Sequence, residues 1–107
     1  MEARPREILI FEASGGRAPF SEWMDTLIGD EVYGIILTRL DRVEDGNFGD
    51  SGPVGAGVSE LRIHFGPGYR VYFGQDGDFV ILLGGGKKGT QAADIERAKA
   101  HWAEYNA

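Results

Sequence analysis

The sequence predicts a single α+β domain over residues 1–107, with element order β-α-α-β-β-β-α and a mostly antiparallel sheet. Three observations carry this prediction. Residues 58–83 alternate apolar and polar side chains between glycine-rich turns, as consecutive strands do. Residues 19–43 carry apolar side chains at helical spacing, broken once at Gly29. A third helical stripe follows Thr90. At 107 residues and 42% hydrophobic content, the chain suits one domain with a modest core. It has no internal repeat and no linker long enough to separate domains.

Arg6 to Phe11 reads as a first strand centred on Ile8, Leu9 and Ile10. Ser14-Gly15-Gly16 then breaks the chain. Pro19 suits the first turn of a helix, and Phe20, Trp23, Met24 and Leu27 follow at helical spacing until Gly29. Asp30 is placed to cap a second helix. Val32, Ile36, Leu40 and Val43 form its stripe, widened by Tyr33 and Leu37, and Gly46 stops it. The short connection predicts a helical hairpin. Asn47 to Gly57 reads as a loop with a short extended piece near Pro53 and Val54. The three-stranded meander comes next, with turns at Gly66-Pro67-Gly68 and Gln75-Asp76-Gly77. Its third strand, Phe79 to Leu83, is apolar on both faces, as a covered strand is. Thr90 can cap the last helix, on which Ile95, Ala98 and Trp102 share a face. Trp23 and Trp102 read as core.

Alternation sorts the sheet residues. Leu61, Ile63 and Phe65 point one way in their strand, as do Tyr69, Val71 and Phe73 in theirs. The opposite face carries Arg62, His64, Arg70 and Tyr72. The strand after it runs into Gly84-Gly85-Gly86 and Lys87-Lys88. This cationic face and its lysine-bearing exit are the candidate site.

Composition excludes several classes. There is no cysteine, hence no disulfide framework and no thiolate nucleophile or metal ligand. Two histidines without His-x-x-x-His spacing argue against a zinc site, and no cofactor is expected. No apolar run approaches a membrane span, and the N-terminal MEARPREILIF is too charged for a signal peptide, so a cytoplasmic protein without membrane attachment is expected. The net charge of −6 opposes nucleic-acid binding, but its distribution is uneven. Residues 1–57 hold 11 acidic and 5 basic side chains; residues 58–91 hold 3 and 4. The sheet segment alone has a basic excess, which can hold a phosphate locally.

VSELRIHFGPGYRVYF, followed by LLGGGKKGTQAADIERAKAHW, resembles the RelE/ParE toxin superfamily. The likeness is strongest to its HigB-like branch of phage-derived addiction-module killer proteins. That branch's pattern is a Gly-Val-x-Glu-Leu-Arg strand, then Gly-Pro-Gly-Tyr-Arg-Val-Tyr-Phe, a leucine-rich strand, Gly-Gly-Asp-Lys, a glutamine and Asp-Ile-x-x-Ala. Gly57 to Arg62, Gly66 to Phe73, Lys88, Gln91 and Asp94-Ile95 match it, and LTRLDRVEDGNFGD resembles the branch's second helix and exit. Lys87 departs, standing where the family often has aspartate. The resemblance implies a RelE-like fold and the toxin of a type II toxin–antitoxin pair. Its partners would be a cognate antitoxin, a small helix-turn-helix protein forming a hetero-oligomer with it, and ribosome-bound mRNA. RelE-like members cleave mRNA in the ribosomal A site, and ParE-like members poison DNA gyrase. Fold alone does not choose between them. A degenerate toxin that keeps only antitoxin binding is a third reading, and the acidic pI of 4.8 feeds both alternatives to the nuclease.

Metal-free RNA cleavage uses a 2′-hydroxyl as nucleophile. It needs a proton acceptor, cations for the phosphorane charge and help for the 5′-oxygen. On the matched positions, Arg62 and Arg70 are the candidate phosphate ligands. Tyr72 would orient the base or exchange a proton, and Lys88 would stabilise charge or act as the base. Lys87, His64 and Gln91 are candidate substrate contacts: Gln91 through its match, His64 through its ordinary imidazole chemistry, Lys87 through its charge at the mouth of the site. Taken singly, Arg62 suits a surface ion pair with Glu60 or Asp94. Tyr72 alone suits packing, and the glycine run lacks P-loop spacing. Only the joint pattern raises these residues to a site.

Overall fold

The computed structural model describes residues 3–107. The first two residues of the N-terminal stretch weighed as a leader lie outside that range. The predicted α+β class is what the chain adopts, with one strand more than expected. In chain order the elements are β1 (Glu7–Ile10), α1 (Pro19–Asp25), α2 (Glu31–Glu44), β2 (Ser51–Gly55), β3 (Val58–Ile63), β4 (Tyr69–Asp76), β5 (Phe79–Lys87) and α3 (Gln91–Tyr105). A single 3-10 turn, Lys88–Thr90, joins β5 to α3. The five strands lie in the order β1-β5-β4-β3-β2. Only the β1–β5 pair is parallel.

The extra strand is β2, in place of the expected loop with an extended piece. It pairs antiparallel with β3 through a two-residue turn, Ala56-Gly57. Both turn residues have positive φ, 55° and 82°, the combination that matches the twist of a tight hairpin. Pro53 is tolerated because β2 is an edge strand. The β4–β5 hairpin turns at Gly77-Asp78, one residue later than predicted, since Asp76 pairs with Phe79. Helix α1 closes at Asp25 and a run of turns continues to Gly29.

Both sheet faces are covered. Phe20 and Met24 of α1 and Val32, Ile36, Leu40 and Val43 of α2 pack with Leu61, Ile63, Tyr69, Val71 and Phe73 on one face. On the other, α3 brings Ala98, Ile95 and Trp102 onto Val58, Tyr72, Ile81 and Leu83. The predicted alternation therefore holds strand by strand. Leu37 departs from its predicted stripe: it lies on the outer side of α2 and is 44% exposed.

The glycines of β5 exist for these two layers. Strand β5 runs on through them to Lys87 instead of ending at Leu83. Tyr72 faces Gly84 and Phe73 faces Leu82, so Leu83 is the extra residue of a β-bulge. The bulge resets the alternation. Gly85 lies under the indole of Trp23 on the α1 side, and Gly86 lies under the carboxylate of Asp94 on the α3 side. Gly74 of β4 likewise leaves room for Trp102, whose ring would stand 2.5 Å from a Cβ there.

Gly85→Ala should therefore overpack the sheet against Trp23. The expected loss is about 1–3 kcal/mol, read as a lowered urea midpoint with an unchanged m-value.

Candidate functional site

Register makes Arg62 and Arg70 direct cross-strand partners, and Glu60 and Tyr72 the neighbouring pair on the same face. Two guanidinium groups directly opposite each other repel. Glu60 resolves the conflict. Its carboxylate is only 4% exposed. Oε2 accepts from Arg62 Nε at 2.8 Å, and Oε1 lies 3.5 Å from Arg70 Nε and accepts from Gln91 Nε2 at 3.4 Å. A buried carboxylate is retained only when partners of this kind replace its water. Gly52, opposite Glu60 on β2, leaves space for the Arg62 head, whose terminal nitrogen would stand 2.8 Å from a Cβ at that position.

Arg62 continues outward to Asp50. Its Nη1 donates to Oδ1 at 2.9 Å, and His64 Nε2 meets Oδ2 of the same carboxylate at 2.5 Å. The hydrogen bond from His64, then that from Arg62, holds the Asp50 carboxyl below the usual aspartate range. Asp50 itself is placed by Arg39, which donates to the carbonyls of Phe48, Asp50 and Arg62 at 2.6–3.3 Å.

Not every expected residue faces the same space. His64, Arg70 and Lys88 line one hollow of about 340 Å³ around the Gly66-Pro67-Gly68 turn. The Lys88 amide closes it by donating to Gly68 O at 3.0 Å. Arg62 stands behind this hollow, joined to it through Asp50 and His64. Gln91 is occupied with Glu60. Lys87 is elsewhere: it pairs with Tyr69, so its side chain projects from the α1/α2 face of the sheet, away from Arg70.

The expectation of an open cationic face is corrected. α3 lies across it, leaving Arg70 8% exposed and Tyr72 fully buried. The Tyr72 hydroxyl has no hydrogen-bond partner among the described residues. Burial, then the nearby Glu60 and Asp94 carboxylates, push its pKa up to about 12. Tyr72 therefore stays protonated near neutrality and does not serve as a base. His64 is by contrast accessible, with 70% of its side chain exposed and its Nε2 held against Asp50. The Asp50–His64 contact fixes the orientation of the ring.

No family model matches the chain. The chain is similar to a Haemophilus influenzae protein that carries the description "Uncharacterized protein", with 47% identity over 81 residues. The match spans 75% of this chain and 82% of that protein. The chain belongs to that protein's family.

Within this family member, two residues that sequence reasoning leaves out organise the site. Glu60 enters there only as a surface partner for Arg62, although its alternation with Arg62 places both on one face. Asp50 sits in a stretch that reads as loop, and nothing in its spacing points to His64. Among the described residues no cluster of His, Asp or Glu could hold a metal ion, and no helix is long and apolar enough to cross a membrane.

Arg70→Ala should now destabilise, contrary to the behaviour of a solvent-facing position. It removes a nearly buried cation from beside a buried carboxylate, at a cost of about 1–3 kcal/mol in chemical denaturation. Arg70→Lys should recover part of that loss.

Alkaline unfolding should report Tyr72. Its folded pKa of about 12 lies above the ordinary value of 10.0. The folded state thus holds a proton that the unfolded state releases first. The stability is complete below pH 10 and disappears as pH rises towards 12. Tyr72→Phe should flatten that part of the stability–pH curve, measured by urea midpoints at successive pH values.

Proposed function

We propose that the protein is the toxin of a type II toxin–antitoxin pair, of the HigB-like branch of the RelE/ParE superfamily, and that it cleaves ribosome-bound mRNA. The observation that carries this reading is the convergence of His64, Arg70 and Lys88 on one hollow beside the motif residues that point to the superfamily. Arg70 offers planar donors to a phosphate, and Lys88 a mobile point charge. His64, oriented by Asp50, takes the 2′-hydroxyl proton as that oxygen attacks the adjacent phosphorus. Both cations act on charge that develops in the phosphorane. The 5′-oxygen leaves with a proton from the imidazolium or from water, and a 2′,3′-cyclic phosphate remains. Arg62 and Glu60 hold Arg70 and His64 in place and do not touch the reacting phosphate. Such a toxin works in the cytoplasm beside a small helix-turn-helix antitoxin that covers the cationic site.

The net charge of −6 favours a second reading, a non-catalytic inhibitor of DNA gyrase, because ribosome binding rewards a basic surface. A degenerate toxin that keeps only its antitoxin contact is favoured by the same charge and by the burial of Arg70.

Primer extension on mRNA from translating ribosomes separates these. The native protein should give cleavage at phased codon positions. Lys88→Ala should reduce it by about 100-fold or more, since Lys88 is exposed and its loss leaves the fold intact. Absence of cleavage by the native protein together with inhibition of gyrase supercoiling would overturn the nuclease in favour of the second reading. Neither activity in a folded protein would point to the degenerate toxin.

A further inference from the structure

A second cleft, of about 630 Å³, runs between the flank of α2 that carries Ile35, Arg39 and Arg42 and the end of β3. Its volume suits a small organic ligand. Ile35, Ile63 and Phe65 supply an apolar floor, and Arg39, Arg42 and Arg62 stand around it. The charges are unequally committed. Asp50 is already engaged by Arg62 and His64. Arg39 spends its donors on backbone carbonyls and forms no salt bridge with a carboxylate among the described residues, so its positive charge is fixed in place. Arg42 is exposed and has no polar side-chain partner among the described residues. Glu31 is the remaining acid on the wall.

This cleft and the hollow beside Lys88 share His64 and Phe65. A ligand that fills both is therefore a continuous chain. Guanidinium charge above an aromatic and aliphatic floor is the combination that binds a nucleotide, phosphate to arginine and base to ring. An acidic peptide would use the charges and leave the floor unused.

We infer that the α2–β3 cleft holds the nucleotide next to the one whose phosphate lies among His64, Arg70 and Lys88. Its phosphate rests near Arg42 in the field of Arg39, and its base lies on Phe65 and Ile35. The inference rests on the nuclease reading above and extends it from the reacting phosphate to the neighbouring unit of the strand.

The test measures binding of a short fluorescent single-stranded RNA whose 2′-O-methyl sugars cannot attack phosphorus. Arg42→Glu should weaken it about 10-fold at low salt and lower the salt slope by about 0.7, the value of one single-strand phosphate contact. Arg17→Glu makes the same change of net charge in a separate cleft beside α1, and should alter binding by less than about 2-fold. Phe65→Ala should weaken the RNA by roughly 5-fold or more while sparing an abasic strand of equal length. Equal effects of Arg42→Glu and Arg17→Glu would overturn the inference. So would competition by oligoglutamate as strong as by RNA with no effect of Phe65→Ala, which would mark an acidic-peptide groove. If the native protein cleaves mRNA while Arg42→Glu binds and cleaves as it does, the cleft proposal alone fails. If the native protein neither cleaves nor binds RNA, the nuclease reading fails with it.

Discussion

One buried carboxylate sets the arrangement of the site. Strand pairing forces Arg62 and Arg70 opposite each other, and without Glu60 that pairing would bring two cations together under a helix. With Glu60 between them, each guanidinium gains a counter-charge, and the pair becomes a fixed structure. The desolvation cost of so buried a carboxylate is high. It is offset because Arg62, Arg70 and Gln91 all converge on it from β3, β4 and α3. The same chain of contacts extends through Arg62 and Asp50 to His64, so the exposed imidazole is held, at two removes, by a buried acid.

The layers above and below the sheet depend on missing side chains. A tryptophan on each face needs a glycine beneath it: Trp23 over Gly85, and Trp102 over Gly74 and Gly57. Asp94 needs Gly86 for the same reason. That packing brings the start of α3 down onto the arginine face, where Asp94 accepts from Thr90 Oγ1 and Arg97. The closeness of α3 then buries Tyr72 and most of Arg70. What remains open is the margin of the face, where the β3–β4 turn meets the start of the 3-10 turn. His64 and Lys88 are the exposed ionisable residues of that margin, and Arg70 also lines it.

Period-2 alternation makes the core legible in the sequence. It assigns Leu61, Ile63, Tyr69, Val71 and Phe73 to one face, and they pack there together. The stripe on α2 is legible for the same reason, save Leu37, which helical geometry puts beside the stripe but which no layer covers. Three features are not legible. The bulge at Leu83 is invisible because leucine is ordinary in a strand, and without it the glycine run reads as an ending. Strand β2 is hidden by the four glycines and proline of 47–57, all compatible with an edge. The two-sided apolar pattern of 79–83 signals a covered strand, but the extent of that cover over β3 and β4 is hidden because Arg62, His64 and Arg70 look like solvent residues. A strand pattern tells which residues share a face; it does not tell whether a helix lies on that face.

This last point bears on what the buried half of the face is for. Arg70 and Tyr72 match the motif that points to a toxin, yet their burial separates them from Lys88 and His64 in kind. A phenol held protonated at a pKa of about 12 cannot accept a proton near neutrality, so its contribution to any reaction is as a donor or as packing. An exposed imidazole backed by a carboxylate can accept one. On the proposed nuclease reading, the acid–base work belongs at the margin, with His64, and phosphate charge at Arg70 and at Lys88. Tyr72, Glu60 and Arg62 are the footing that makes those positions fixed. The division follows from solvent access alone: groups that exchange protons with a substrate must reach it, and groups that hold them still are best kept from water.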